Sequence, residues 1–297
     1  MTTPDGPTGS TVPRRQLGRY LTELRQKAGI TAQAASKALE RSPTTIWRVE
    51  KGHVSSRGVE VRAMCDLYDA PRELTEGLVK LALETKAKGW WHSYDDVMPE
   101  GFDLYIGLEE AALRIDWYEP ELVPGLLQTE DYAREIIRAG HQGKDPEEIE
   151  RRVQLRVNRR ISLTRVINPP ALAVILGEPV LRHLIGGTTV MARQLAHLAD
   201  VANLPNVTIQ VVPANVGFHQ GLTAGQFQIL RFPLTRSGKE TEPPTVYADG
   251  YTGDLYLDRP NEVERYDAAF QDISSMALGE EASRRLILEM AEHHDQA

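Results

Sequence analysis

Apolar residues in the first part of the chain recur at helical spacing. Leu17, Leu21 and Leu24 predict a helix over Pro13 to Ala28, ended by Gly29. A second stripe, Ala35 and Leu39, then Ile46 and Val49, runs through residues 31–52 and is interrupted by the polar Glu40-Arg41-Ser42. Thr31 can cap a helix reaching Leu39, because its hydroxyl oxygen accepts from the free amides of a first turn. Ser42 can cap the next, with Pro43 at the first helical position, where a missing N–H costs nothing. Gly52 stands where a left-handed residue closes a helix. Two further helices are predicted, Gly58–Asp69 and Pro71–Lys86. The former places Val61, Met64, Cys65 and Tyr68 on one face.

Beyond Gly89 the pattern changes. Gly107–Glu119, Thr129–Ala139 and Pro146–Arg165 read as helices. Short β-branched and aliphatic runs then appear at Ala171–Leu176 and Val207–Val212, with helices Glu178–Ile185 and Thr188–Leu204 around them. Gly225–Phe232, Thr245–Ala248 and Tyr251–Leu257 read as strands, and helices Pro260–Met276 and Gly279–Glu292 close the order. The fold class expected is an all-α five-helix head containing a helix-turn-helix, followed by a mixed α/β C-terminal domain. The organisation expected is a disordered tail over 1–12, a head over 13–88 and a second domain over 89–297.

Charge sharpens this division. The 297 residues carry a net −8, which alone argues against nucleic acid. Residues 14–57 hold ten Lys/Arg (Arg14, Arg15, Arg19, Arg25, Lys27, Lys37, Arg41, Arg48, Lys51, Arg57) against Glu23, Glu40 and Glu50, a local +7. A basic head on an acidic body suits a module that meets DNA phosphates. The single cysteine, Cys65, excludes a disulfide within the chain and fits a reducing cytoplasm, and its helical face marks it as core. Met1 to Val12 lack the apolar run of a signal peptide. No apolar stretch approaches the ~20 residues that span a bilayer.

Two short helices joined by a tight turn serve mainly to place the second in the DNA major groove. Thr45-Ile-Trp-Arg-Val-Glu-Lys-Gly52 resembles the Thr-Ile-Ser-Arg-Ile-Glu-x-Gly of the Cro/cI-type (XRE) helix-turn-helix regulators, and the resemblance covers about residues 14–85. It implies that Pro43, Thr44 and Arg48 face base edges, with Arg48 the strongest reader because its fork matches guanine O6 and N7. It places Ser42, Thr45, Trp47 and Lys51 near phosphates, and Gln33 near the backbone at the start of the first motif helix. It also implies that Arg25 and Glu50 form a structural ion pair that ties two helices at a fixed angle. From the residues alone, Arg48 can instead be a solvated surface side chain, and Trp47 can instead pack on a neighbouring helix. Three positions depart from the family pattern. Ala32 stands where Gln is common and removes a phosphate contact. Glu40 stands where the turn usually has Gly, and a left-handed Glu costs about 1 kcal/mol. Pro43 has no hydrogen bond to offer a base, so reading falls mainly to Arg48 and Thr44.

Glu121-Leu-Val-Pro-Gly-Leu-Leu-Gln-Thr-Glu-Asp-Tyr-Ala133 resembles the signature of the WhiJ-like, antitoxin-like domain that follows a Cro/cI-type head in many actinobacterial regulators. Further matching blocks are Val180–Gly187, Gln194–Leu198, Pro205–Pro213 and Gly225–Leu230, although Gly177 and Arg160 stand where Asp and Gln are expected. The resemblance implies a transcriptional regulator, often encoded beside a small acidic protein that behaves as its partner. Pro124-Gly125 itself reads as a loop anchor. Arg151, Arg152, Arg156, Arg159 and Arg160 beside Glu147, Glu148 and Glu150 make either an acidic-partner or phosphate site or a solvated helix of i,i+4 pairs. Trp90, Trp91 and Tyr94 either line an apolar pocket or pack between domains.

Signs of catalysis are weak. The eight His show no H-E-x-x-H spacing, one Cys excludes thiolate zinc sites, and neither a G-x-S-x-G elbow nor a P-loop is present. The expectation is a cytoplasmic, non-enzymatic, sequence-specific DNA-binding regulator with no cofactor, no metal and no catalytic residues. Its partners are double-stranded DNA and a second copy of itself, and its C-terminal domain takes a small-molecule ligand or a small acidic protein. The alternative is an antitoxin-like interaction protein that binds such a partner and autoregulates its operon. One recognition helix reads few base pairs, so two heads on half-sites about 34 Å apart supply the affinity.

Overall fold

The computed structural model describes residues 11–85, 90–99, 101–165, 168–234, 242–251 and 253–296. The tail expected over 1–12 lies outside these residues as far as 10; Thr11 and Val12 already belong to the first helix. By packing, the chain forms two compact units, Met1–Ala111 with Leu234–Glu242, and Ala112–Pro233 with Pro243–Ala297. The sequence pattern drew the boundary at 88/89. By packing, Trp90–Ala111, Leu234 and Glu242 group with the helical unit.

The first unit is helical: α1 (Thr11–Lys27), α2 (Ala32–Ala38), α3 (Pro43–Glu50), α4 (Gly58–Leu67), α5 (Arg72–Glu84) and α6 (Phe102–Ala111). The expected inward residues make its core: Leu17, Leu21 and Leu24 of α1, Ala35, Val49, and Val61, Met64, Cys65 and Tyr68. Burial pushes the Cys65 thiol up and the Tyr68 hydroxyl to about 12, so both stay neutral and act as packing groups. Trp90, Trp91 and Tyr94 sit in a short 3₁₀ turn (Trp90–Tyr94). The Trp90 ring lies edge-on to the other two, and its indole N–H reaches Glu110 at 3.5 Å.

The second unit is a mixed α/β domain. In chain order it holds β1 (Arg114–Glu119), α7 (Glu130–Gly140), α8 (Pro146–Asn158), α9 (Ile161–Thr164), β2 (Ala171–Gly177), α10 (Pro179–Arg182), α11 (Thr188–Val201) and β3 (Val207–Val212). It continues with α12 (Gly221–Ala224), β4 (Phe227–Arg231), β5 (Thr245–Ala248), β6 (Leu255–Leu257), α13 (Pro260–Met276) and α14 (Glu280–Asp295). Among the described residues the strands form one six-stranded sheet in the order β3-β2-β1-β4-β5-β6. β1, β2 and β3 are parallel, and β4, β5 and β6 add antiparallel. Val263, Ala269, Phe270 and Ile273 of α13 pack over Tyr118, Ile175, Phe227, Ile229 and Val246 of the sheet.

Two expected elements are corrected. Gly107–Glu119 is not a single helix: α6 ends at Ala111 and β1 follows at Arg114. β1 lies between the parallel β2 and the antiparallel β4 and is buried at five consecutive positions, so its polar Asp116 and Glu119 are buried with its apolar residues instead of marking a solvent face. The helix expected over Pro146–Arg165 breaks after Asn158 into α8 and α9.

The Pro124-Gly125-Leu-Leu-Gln-Thr129 block is a loop held by buried polar groups. The Gln194 amide, fully buried on α11, accepts from the Thr129 N–H at 2.7 Å and hydroxyl at 3.1 Å and donates to the Leu127 carbonyl at 2.8 Å. Gln128 donates to the Val123 carbonyl at 2.7 Å, and the Val123 N–H donates to the Tyr132 hydroxyl at 3.1 Å. A β-carbon on Gly125 would lie 3.2 Å from the Arg159 guanidinium, a tight contact.

Candidate nucleic-acid interface

The motif helices start where their caps dictate. The Thr31 hydroxyl accepts from the Ala34 N–H at 3.1 Å, and the Ser42 hydroxyl accepts from the Thr45 N–H at 3.0 Å. The Ser42 and Thr45 hydroxyls are themselves 2.9 Å apart, so both are engaged within the cap. The intervening turn needs a left-handed residue, and Glu40 takes that conformation at φ +52° in place of the family's glycine. The turn is closed by the Arg41 N–H donating to the Ser36 carbonyl at 3.0 Å and the buried Ser36 hydroxyl donating to the Arg41 carbonyl at 2.7 Å. Arg41 pairs with Glu60, which also accepts from the Arg57 N–H at 3.1 Å and so pins the start of α4 to the turn.

α3 buries Ile46 and Val49 and exposes Pro43, Thr44, Trp47, Arg48 and Lys51. Gln33 is exposed on α2. Trp47 is 51% exposed, and one face of its indole stacks on His53 at 5.0 Å between centroids and 24° between planes. Burial, reinforced by the charges of Arg14, Arg15 and Arg48 and opposed by Asp103, holds His53 below its ordinary value. It therefore packs under the indole as a neutral ring.

Two features fix the angle of α3. Arg25 Nε and Nη2 donate to the two carboxylate oxygens of Glu50 at 2.6 and 2.7 Å, and Arg25 Nη1 donates to the Ile30 carbonyl at 3.0 Å. The glycines make the second. A β-carbon on Gly18 would lie 2.4 Å from the Glu50 carbonyl oxygen, so only glycine lets α1 approach the end of α3 this closely. Gly52 closes α3 at φ +71°, and a β-carbon there would meet the Arg15 backbone at 2.7 Å.

The charge count needs correcting. Arg14 pairs with Asp103 at 3.1 Å, and Arg15 and Arg19 converge on Glu242 at 2.8 and 2.6 Å. Arg25 and Arg41 are taken by Glu50 and Glu60. Half of the ten basic residues in 14–57 are thus paired with carboxylates of the chain, Arg41 at the surface and the others more buried. Lys27, Lys37, Arg48, Lys51 and Arg57 are the exposed remainder. Sequence reasoning missed Asp103 and Glu242 because they lie outside the basic stretch and no local pattern marks them.

The second unit offers weaker chemistry. The arginines of α8 and of the step after it are largely engaged: Arg152 with Glu148 at 2.8 Å, Arg156 with the Gln128 side chain at 3.1 Å, and Arg160 with the Gln128 carbonyl at 3.2 Å, while Arg159 is buried. Glu119, at the end of β1, is pushed up to about 7. Burial is the main cause, and it outweighs the hydrogen bond from the Trp117 indole at 3.4 Å and those from the Leu122 and Glu121 amides. Among the described residues, no group of three or more His, Cys, Asp or Glu is placed to hold a metal, and no helix is long and apolar enough to cross a membrane.

These elements define a helix-turn-helix protein, and a family model described as a helix-turn-helix domain matches residues 16–78. That domain marks a DNA-binding regulator. The chain belongs to the family described as Domain of unknown function (DUF5753), whose model matches residues 102–289. No curated protein matches the chain.

Proposed function

We propose that this protein is a sequence-specific, Cro/cI-type (XRE) transcriptional regulator that binds double-stranded DNA as a homodimer in the cytoplasm. The observation that carries the reading is the split face of α3. Ile46 and Val49 are buried and Glu50 is clamped by Arg25, while Thr44, Trp47, Arg48 and Lys51 project outward together. In this reading Arg48 and Thr44 read base edges and Pro43 gives apolar contact. Lys51, Trp47, Ser42, Thr45 and Gln33 meet the backbone, with the Ser42 and Thr45 hydroxyls contributing through the cap they share.

The second unit serves dimerisation, small-molecule sensing or partner binding, and the chain performs no catalysis. Its WhiJ-like resemblance supports the antitoxin-like form of the proposal, in which a small acidic protein encoded nearby is the partner.

The test is fluorescence anisotropy on the DNA upstream of the protein's own gene against a scrambled duplex, at several salt concentrations, with sedimentation at micromolar protein. Selective, salt-dependent binding by a dimer is expected. Equal affinity for both duplexes refutes autoregulation at this DNA, and a monomer refutes the paired half-site model.

A further inference from the structure

We infer that Glu242 is a positioning residue for the recognition helix α3, acting through Arg15 and Arg19 of α1. The inference rests on the reading of α3 as the DNA-reading element. Glu242 lies far along the chain, with only Pro243 and Pro244 between it and β5, yet it packs in the helical unit. Its side chain is completely buried and accepts from Arg15 at 2.8 Å and from Arg19 at 2.6 Å. The Arg15 side chain is only 9% exposed, so this carboxylate supplies a charge that water does not.

The two arginines flank Gly18, one turn apart on α1. Gly18 is where α1 presses on the Glu50 and Val49 carbonyls, and the Arg15 backbone is what Gly52 presses against. One carboxylate therefore holds the stretch of α1 that meets the last turn of α3. That turn is closed by Lys51 N–H to the Trp47 carbonyl at 2.9 Å, Gly52 N–H to Val49 at 3.0 Å and His53 N–H to Arg48 at 2.9 Å. The residues whose carbonyls accept those bonds include Trp47 and Arg48, both assigned to the DNA. A side chain outside the motif thus sets the pose of the side chains that read.

Full-length Glu242→Gln and Glu242→Asp are compared with the unaltered protein by two measurements. The first is the ratio of affinities for the upstream and scrambled duplexes, taken where circular dichroism shows each variant folded. The second is amide hydrogen exchange at Lys51, Gly52 and His53 relative to amides of α4 and α5. Glu242→Gln is expected to cut the selectivity ratio at least fivefold and to speed exchange at the three amides more than in α4 and α5. Glu242→Asp, which keeps the charge, is expected to fall between. Selectivity within twofold of the unaltered protein overturns the inference, as does exchange that rises uniformly with lost stability, since a merely structural ion pair does that. If the unaltered protein shows no selectivity, autoregulation at this DNA fails and the exchange arm still decides whether Glu242 holds the end of α3.

Discussion

Buried carboxylates in the two units meet two kinds of partner: guanidinium groups, as at Glu50 of the helical unit and Asp116 of the sheet unit, or neutral donors, as at Glu109 of the helical unit and Glu119 of the sheet unit. In the helical unit Asp103, Glu50 and Glu242 each face arginines at 2.6 to 3.1 Å. In the sheet unit Glu119 is buried against the Trp117 indole and backbone amides, and is pushed up to about 7. A carboxylate met by a guanidinium at hydrogen-bond distance serves as a fixed strut. Glu119, buried beside neutral donors, changes state near neutrality. The second unit thus carries, in Glu119, a group that responds to pH near neutrality.

The sharpest way to break this contrast is to remove a strut. Arg25→Met leaves Glu50, 8% exposed, without its guanidinium and is expected to destabilise the helical unit by about 3–5 kcal/mol, read from urea unfolding. A double change Arg25→Met, Glu50→Leu is expected to recover most of that loss; recovery of none of it means the pair is not the cause. Glu119 tests the other side. Its folded value lies above the unfolded 4.5, so the folded state binds the extra proton between about pH 4.5 and 7. Stability from this group is full below that window, falls as pH rises through it, and costs up to about 3 kcal/mol above it. Glu119→Gln is expected to flatten the fall in urea midpoint between pH 5 and pH 8 and to be the more stable form at pH 8. An unchanged pH profile would place the titration elsewhere.

Arg48→Ala separates reading from scaffolding. Losing a bidentate base contact is expected to cost about 1–3 kcal/mol of specific binding with no matching loss of stability. Specific affinity within twofold of the unaltered protein would sink the assignment of Arg48 as a base reader. The smallest effect is expected at the turn. Glu40→Gly relieves an exposed left-handed residue at φ +52° and is expected to raise stability by about 1 kcal/mol, seen as a higher melting temperature of the helical unit.

What the sequence revealed and what it hid follow the same physical divide. The motif helices were legible because Thr31, Ser42, Pro43 and Gly52 act within a few residues of themselves. The α1 and α4 cores were legible because their apolar residues keep helical spacing. β1 was hidden because the strand is buried on both faces and carries Asp116 and Glu119 among its apolar residues. The break after Asn158 was hidden because no glycine or proline marks it. At the interface, exposure of Arg48 and Lys51 could be read from helical phase. The loss of Arg14, Arg15 and Arg19 to internal pairing could not, since their partners are 89 and 223 residues away.

That last separation has a consequence for synthesis. A ribosome adds about 5–20 residues per second, so roughly 10–45 s pass between the appearance of Arg19 and that of Glu242. During that time the motif helices have emerged while two arginines at the back of α1 still lack the carboxylate they are folded around. α3 is encoded early, but the carboxylate that pairs with Arg15 and Arg19 is added only when most of the second unit has been made. A message truncated before residue 242 would yield a head with every residue of α3 present and the counter-charge of Arg15 and Arg19 missing.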